Sequence, residues 1–138
     1  MSGTNKELIL MVGLPRSGKS TYAKTTGFSI VNPDSIRLAL HGERFIADAE
    51  PMVWAIAKYM VKCLFLAGHT EVILDATNTT AKRREEWLSN DWTLSLIHID
   101  TSEAVCIERA LDEGDCAIIP IIRRLADSFE DPAKFGSL

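Results

Sequence analysis

The sequence predicts an α/β fold in which a parallel sheet of four or five strands has helices on both faces. The run at residues 8–12 is continuously apolar, as expected for a strand that is covered on both sides. Further short strands are predicted at residues 29–31, 72–74 and 94–99, and helical segments alternate with them. Such an alternation is typical of a parallel sheet wound on both sides.

Caps and turn residues predict where the connecting helices lie. Pro51 stands in the first turn of the longest helix, where its missing N–H costs nothing, and Gly68 ends that helix. Asp100 and Glu103 have the spacing of a capping box and predict a helix after the fourth strand. A last helix carries an apolar stripe that includes Ile122. The predicted helices that precede the fourth strand cover about residues 20–25, 34–41, 51–67 (the longest) and 80–89.

Length and composition predict one ordinary domain. The chain has 138 residues, of which 46% are hydrophobic, so it can bury a single core. We therefore expect residues 1–138 to form a single domain. The three cysteines lie far apart without the spacing of a zinc site or a disulfide framework.

Charge and hydropathy exclude some classes of partner. The formal charge of −4 creates no large attractive field for a polyanion, so a protein that coats long nucleic acid is not expected, although a local basic cleft is compatible with this charge. The most apolar stretch contains Lys58 and Lys62 on one helical face, which predicts a core helix and no membrane partner. The first residues do not resemble a secretory signal, so a cytoplasmic location is expected.

The strongest signal is the segment GLPRSGKS at residues 13–20, which matches the pattern GxxxxGK[ST]. We call this segment the phosphate loop. Its glycines let successive backbone N–H groups face a β-phosphate, and the following helix adds the positive end of its dipole. Lys19 would bridge the β- and γ-phosphates, and the Ser20 hydroxyl would hold Mg²⁺. The alternative, a chance match in a turn, is disfavoured by the flanking strand and helix. The motif predicts ATP and Mg²⁺ as cofactors and an ATP site of Gly13, Pro15, Ser17, Gly18, Lys19, Ser20 and Thr21.

The end of the second strand carries a candidate acceptor site. Asp34 and Arg37 are three residues apart and share one side of the following helix. A carboxylate at this place could take the proton of an acceptor hydroxyl, and a guanidinium could bind an acceptor phosphate. The bland alternative is a helix cap with a surface ion pair.

The end of the third strand carries a candidate magnesium site. Asp75 follows a purely apolar strand, which is the pattern of a carboxylate that orders water around Mg²⁺. A cap or turn residue is the alternative. Thr77 and Asn78 lie just beyond it. The cluster at residues 82–84 is expected to be a solvated helix face, and Arg109 could reach over the phosphates as a lid.

Five segments together resemble the polynucleotide kinase-like P-loop kinases, and among them the kinase domain of phage polynucleotide kinase. They are GLPRSGKST at 13–21, VNPDSIR at 31–37, ILDATNTTAKRR at 73–84, IERA at 107–110 and IPIIRRL at 119–125. The resemblance spans about residues 8–130. It implies that Asp34 is the general base toward a 5′-hydroxyl and that Arg37 binds the acceptor's phosphate. It also implies that Thr77 and Asn78 lie near the acceptor and that Arg109 is a lid arginine.

Two positions depart from the phage pattern. Glu113 stands where the phage lid has a further arginine, so Arg123 or Arg124 could replace that arginine, or ATP could be held differently. The segment Pro33-Asp34-Ser35 stands where the phage enzyme has a basic and then two acidic residues. This second difference leaves the choice of acceptor open.

The sequence therefore predicts an ATP-dependent kinase that transfers the γ-phosphate to a hydroxyl acceptor, most simply the 5′-hydroxyl of a polynucleotide or a nucleotide. One alternative is a small-molecule kinase that acts on a sugar, a nucleoside or an antibiotic. Another is a protein in which ATP binding or hydrolysis drives a switch. Asp34 with Arg37 disfavours the switch, because a switch needs no acceptor site. The oligomeric state is left open.

Overall fold

The computed structural model describes residues 5–42 and 45–133, and within them four parallel strands form one sheet. The strands are β1 (Glu7–Val12), β2 (Ser29–Val31), β3 (Glu71–Leu74) and β4 (Thr93–His98). Their order in the sheet is β2-β3-β1-β4. The helices of this part are α1 (Lys19–Thr25), α2 (Pro33–His41), α3 (Glu50–Leu66), α4 (Ala81–Glu85), α5 (Glu103–Asp112) and α6 (Ile119–Asp127), with short 3-10 turns at Ala47–Ala49 and Cys116–Ile118. The predicted α/β fold is confirmed.

Alternate residues of the central strand β1 enter different cores. Leu8 and Leu10 are fully buried on the face that α2 and α3 cover, in a cluster that includes Val53, Ala57, Val61 and Phe65 of α3. Ile9 and Met11 are buried on the opposite face, together with Ala23 of α1. Because both faces of β1 are covered, the strand can be apolar at every position.

A third apolar cluster joins α5 and α6 to the end of the phosphate loop. Leu14 packs there with Cys106, Ala110 and Ile122, which lie on these two helices. The packing fixes the helical pair beside the loop. The predicted apolar stripe of the last helix therefore serves this cluster.

The basic helix predicted at residues 80–89 is shorter than expected, because α4 ends at Glu85. Beyond Arg84 the backbone tightens into three-residue turns: the N–H of Trp87 donates to Arg84 O, and the N–H of Leu88 donates to Glu85 O. Trp87 is only 2% exposed and belongs to the core beneath α3. Burial of this large ring thus accompanies the end of the regular helix.

The capping box predicted from Asp100 is wrong. The N-cap of α5 is Ser102, whose side chain accepts a hydrogen bond from the N–H of Val105. Asp100 lies too early, because the preceding residue Ile99 still donates from its N–H to Val12 O beside the sheet. A hydroxyl next to the helix satisfies its first turn as well as a carboxylate would.

The long helix α3 keeps one polar anchor within its apolar sequence. Lys58 donates to Glu86 O at 2.9 Å, and its ammonium lies 5.1 Å from the ring centre of Trp87. Among the residues that the structure describes, no helix combines the length and the apolar character that a membrane span needs.

A buried arginine connects α4 to the segment that follows α6. Arg84 is fully buried and donates to Asn78 O at 2.8 Å and to Glu130 O at 2.9 Å. The N–H of Glu130 in turn donates to Thr79 O at 2.9 Å. The residues that follow β3 are therefore hydrogen-bonded both to α4 and to the segment after α6.

Replacing this arginine by methionine should destabilise the fold. Arg84→Met leaves the carbonyl oxygens of Asn78 and Glu130 without their charged donor, so we expect the free energy of unfolding to fall by about 2–4 kcal/mol. Lys82→Met is the matched control, because Lys82 is exposed on the same helix, and it should change this free energy by less than about 0.5 kcal/mol. Urea denaturation followed by circular dichroism measures both. Equal stability of the two variants would contradict the view that the hydrogen bonds of Arg84 stabilise the fold.

Candidate active site

The phosphate loop connects β1 to α1 and has a tightly constrained backbone. The N–H of Gly13 donates to Thr77 O at 3.0 Å. A Cβ at Gly13 would lie 2.8 Å from Ser17 Oγ and 2.9 Å from Ile99 O, so no side chain fits there. Gly18 has a φ of 103°, in the left-handed region that favours glycine. Gly13 is thus required because a Cβ would clash, and Gly18 because of its backbone conformation.

The start of α1 is available for an anion. This helix has no side-chain cap, and its first residues Lys19 and Ser20 belong to the phosphate loop. Uncapped N–H groups at a helix start are donors for phosphate oxygens, and the helix dipole favours a negative charge there. The side chains of Asn32, Thr80 and Ser102 cap α2, α4 and α5, whereas α3 and α6, like α1, begin without such a cap.

Lys19 is held inside the phosphate loop. Its side chain is buried, and Nζ donates to Leu14 O at 2.9 Å. Burial lowers the pKa of Lys19, while the negative charges of Asp75 and Asp34 act in the opposite direction. The ammonium therefore lies in a poorly hydrated place, where its charge would act strongly on a neighbouring anion.

Ser20 and Asp75 meet at the edge of the sheet. Ser20 Oγ donates to Asp75 Oδ2 at 2.6 Å, and Asn32 Nδ2 donates to the same oxygen at 3.3 Å. Hydroxyl and carboxylate oxygens are ligands that Mg²⁺ prefers. The donor set of these two residues thus fits the magnesium site predicted from the sequence.

The cap of α2 is Asn32, not Asp34. Asn32 Oδ1 accepts hydrogen bonds from the N–H groups of Asp34 and Ser35, at 2.8 Å and 3.4 Å. The carboxylate of Asp34 is instead largely exposed and forms an ion pair with Arg37, at 2.6 Å. The cap alternative for Asp34 is therefore wrong, whereas the ion pair that accompanied it is present.

Arg37 is enclosed by carboxylates. Its Nε and Nη2 donate to the two oxygens of Glu50, at 2.8 Å and 2.7 Å, while Nη1 donates to Asp34. Trp54 Nε1 also donates to Glu50, at 3.2 Å. Burial acts to lower the pKa of Arg37, but the hydrogen bonds to Glu50 and Asp34 outweigh it and leave this pKa raised. The Arg37 guanidinium in turn lowers the pKa of Glu50.

These side chains surround a cavity of about 440 Å³ at the carboxyl ends of the strands, where parallel α/β sheets bind their ligands. Of the residues predicted for the site, eight line it: Pro15, Lys19, Ser20, Asp34, Arg37, Asp75, Thr77 and Asn78. The remaining predicted residues, Gly13, Ser17, Gly18, Thr21 and Arg109, are not part of its lining.

Asn78 has a structural contact in addition to its place in the lining. Its Nδ2 donates to Met11 O at 2.8 Å, and its φ of 46° is left-handed. The Asn78 Oδ1 atom is buried and has no hydrogen-bond partner among the described residues. Neighbouring Thr77 accepts from the phosphate loop through its carbonyl. Both residues therefore connect the end of β3 to β1.

Arg109 contacts the phosphate loop from outside the cavity. Its Nη1 donates to Arg16 O at 3.0 Å. The Arg16 side chain forms ion pairs with Glu113 and with Asp115, the latter at 2.6 Å, and the hydrogen bond to Asp115 is the main reason that the pKa of Arg16 is raised. Glu113, which stands where the phage lid has an arginine, thus connects the end of α5 to the loop. Of the two possible replacements for that arginine, Arg124 lines the cavity.

The lining also contains residues that the sequence did not predict, among them Glu50, Trp54 and Arg83. The first two lie four residues apart on one face of α3, a signal that was present in the sequence. Arg83 belongs to a basic cluster that was expected to face solvent, but its guanidinium lies 4.5 Å from the ring centre of Trp54. The solvated face is also wrong for Arg84, which is fully buried.

A family model described as an AAA domain matches residues 8–112. The chain belongs to this AAA domain family. The matched range contains the phosphate loop, Asp34, Asp75 and Arg109, so all the predicted site residues lie inside the AAA domain.

Solved structures of other proteins resemble the AAA domain. A chain of a Pnkp1/Rnl/Hen1 complex is 26% identical over 75% of this chain and 38% of its own length, with a TM-score of 0.67. A chain of the Pnkp1/Rnl/Hen1 RNA repair complex is 21% identical over 91% and 46%, with a TM-score of 0.68. A gluconokinase from Sinorhizobium meliloti 1021 is 19% identical over 94% and 78%, with a TM-score of 0.64. The chain spans less than half the length of the two repair-complex chains. Its fold is that of an AAA domain and is shared with the gluconokinase.

The pair of Glu50 and Arg37 should make stability depend on acid pH. The pKa of Glu50 is lowered from its ordinary value of 4.5, so the pair contributes fully above that value and is lost as pH falls through the lowered pKa. We expect Glu50→Gln to reduce the free energy of unfolding by about 1–2 kcal/mol near neutral pH and to flatten its decline below about pH 5.

Denaturant titrations between neutral and acid pH measure this difference. Glu108→Gln is the control, because it removes an exposed carboxylate from α5. If the free energy of unfolding of Glu50→Gln declined with acid pH as steeply as that of the wild-type protein, the pair of Glu50 and Arg37 would not be the cause of the pH dependence.

Proposed function

We propose that this domain transfers the γ-phosphoryl group of ATP to a hydroxyl acceptor, in particular the 5′-hydroxyl of a polynucleotide or a nucleotide. The observation that supports this proposal is one continuous cavity. It is lined by Lys19 and Ser20 of the phosphate loop and by Asp34 on α2. A donor phosphate and an acceptor hydroxyl could therefore meet inside it.

ATP would be held by the phosphate loop and the first turn of α1. The proposed contacts are the backbone and side chains of Gly13, Pro15, Ser17, Gly18, Lys19, Ser20 and Thr21. Lys19 would place its charge between the β- and γ-phosphates. Mg²⁺, when bound, neutralises phosphate charge, and Ser20 and Asp75 would hold it with hydroxyl and carboxylate oxygens. Arg109 is proposed to add charge from the lid side.

Asp34 would act as the general base. Its carboxylate takes the proton of the acceptor hydroxyl, the acceptor oxygen forms its bond to the γ-phosphorus, and the bond from that phosphorus to the β–γ bridging oxygen breaks to release ADP. The ion pair with Arg37 fixes the direction of the carboxylate. Because Asn32 caps α2, Asp34 is available for this role.

The lining of the cavity favours a nucleotide acceptor. Phe45 and Trp54 supply aromatic surface, while Arg83 and Arg124 supply positive charge. Aromatic and guanidinium groups together suit a nucleobase and a phosphate. A chain of the Pnkp1/Rnl/Hen1 complex is 26% identical to this one, and that complex is also described as an RNA repair complex, which favours an acceptor related to nucleic acid. The likeness to the phage enzyme stays a prediction.

A small metabolite is the second candidate acceptor. The cavity volume of about 440 Å³ lies in the range of small-molecule sites. Thr77 and Asn78 are proposed to lie near the acceptor in either case.

Asp34→Asn tests the proposed base while it keeps the shape of the side chain. We expect kcat for phosphoryl transfer to an oligonucleotide 5′-hydroxyl to fall by at least about 10²-fold, because a positioned base contributes about 10²–10⁴-fold. The affinity for ATP should stay nearly unchanged. Asp112→Asn is the control, because Asp112 is exposed at the end of α5. Labelled ATP and single-turnover kinetics give both values, and a normal kcat in Asp34→Asn would reject the base.

A further inference from the structure

Carboxylates of the protein itself neutralise the charge of Arg37. All three nitrogens of its guanidinium donate to carboxylates, two of them to Glu50 and one to Asp34. Its side chain is only 13% exposed. A phosphate that binds here would have to displace a carboxylate from a fork-shaped, charge-assisted pair. Arg37 is thus poorly suited to be the main binding group for an acceptor anion.

Arg83 is the contrasting arginine of the same cavity. Its side chain is 42% exposed, and a single nitrogen donates to the exposed carboxylate of Glu86, at 3.1 Å. An exposed ion pair of this kind contributes little and is easily exchanged. The Trp54 ring, 4.5 Å from the guanidinium carbon, holds the charged group in place without neutralising it.

Arg124 contributes a second positive charge to the lining from α6. Its side chain has no ion pair or hydrogen bond among the described residues. The other charged groups of the lining are accounted for: Asp34 and Glu50 pair with Arg37, and Asp75 accepts from Ser20 beside Lys19. The acceptor side of the cavity is therefore positive at Arg83 and Arg124.

We propose that Arg83, assisted by Arg124, binds an anionic group of the acceptor, and that Arg37 is a positioning residue for Asp34. This inference rests on the proposed function, since it describes the acceptor side of that same cavity. The anionic group could be the phosphate of a nucleotide or the carboxylate of a sugar acid, because both accept two hydrogen bonds from a guanidinium.

Direct binding tests the inference without phosphoryl transfer. Isothermal titration would measure four ligands in two pairs: adenosine 3′-phosphate against adenosine, and gluconate against glucose. Each pair compares an anion with a neutral counterpart, so the anion preference is the ratio of the two dissociation constants. The pair that shows a preference in the wild-type protein identifies the source of the anion.

Arg83→Gln should reduce that preference by about tenfold to a hundredfold, because a charge-assisted hydrogen bond is lost. Arg83→Lys keeps the charge and should retain part of the preference. Lys82→Gln is the control, because it removes a positive charge from an exposed neighbour on α4 and should change nothing. Arg37→Gln should keep the preference and, in the transfer reaction, lower kcat while leaving the KM of the acceptor unchanged.

Three results would overturn the inference. The first is a wild-type protein that shows no preference for either anion. The second is an Arg83→Gln protein that keeps the full preference. The third is loss of the preference in Arg37→Gln, which would return the anion site to Arg37. None of these results depends on catalysis, so failure of the inference and failure of the proposed function are distinguishable.

Discussion

The parallel pairing of β1 with β3 is the constraint on which the candidate site depends. Leu10 of β1 lies opposite Leu74 of β3, so both strands end at the same edge of the sheet. From that edge the phosphate loop and the residues after β3 run side by side. Two bonds connect them, from Gly13 N–H to Thr77 O and from Ser20 Oγ to Asp75 Oδ2. A shift in the pairing would separate the hydroxyl from the carboxylate.

The other parts of the site are positioned relative to this junction. Asn32 has two functions, because it caps α2 through Oδ1 and contacts Asp75 through Nδ2. It therefore links the start of α2 to Asp75. On the far side, Arg16 ties the loop to Glu113 and Asp115 near the end of α5. The start of α2 and the end of α5 are distant in sequence, but both are thus connected to the junction of the phosphate loop and the residues after β3.

The sequence was sufficient for the fold and for the backbone of the phosphate loop, because the signals there are local. A strand covered on both faces is apolar throughout, and the glycines of the phosphate loop follow from local backbone geometry. The acceptor side was harder to predict. Arg37 pairs with Glu50 of another helix, and Arg83 and Arg84 are neighbours in sequence that face a cavity and a core. Only the packing of helices on the sheet decides such contacts. The same holds for Asp100, which the path of β4 leaves too far from α5 to cap it.

The central claim is that ATP turnover serves transfer to a hydroxyl acceptor. The most direct test is to follow γ-labelled ATP with the wild-type protein, with and without oligonucleotide, nucleotide and sugar acceptors, and to measure ADP and the labelled product together. We expect ADP to form at an appreciable rate only when an acceptor is present, and one label to appear on the acceptor for each ADP. ADP formation at the same rate without any acceptor, with all label released as inorganic phosphate, would contradict it.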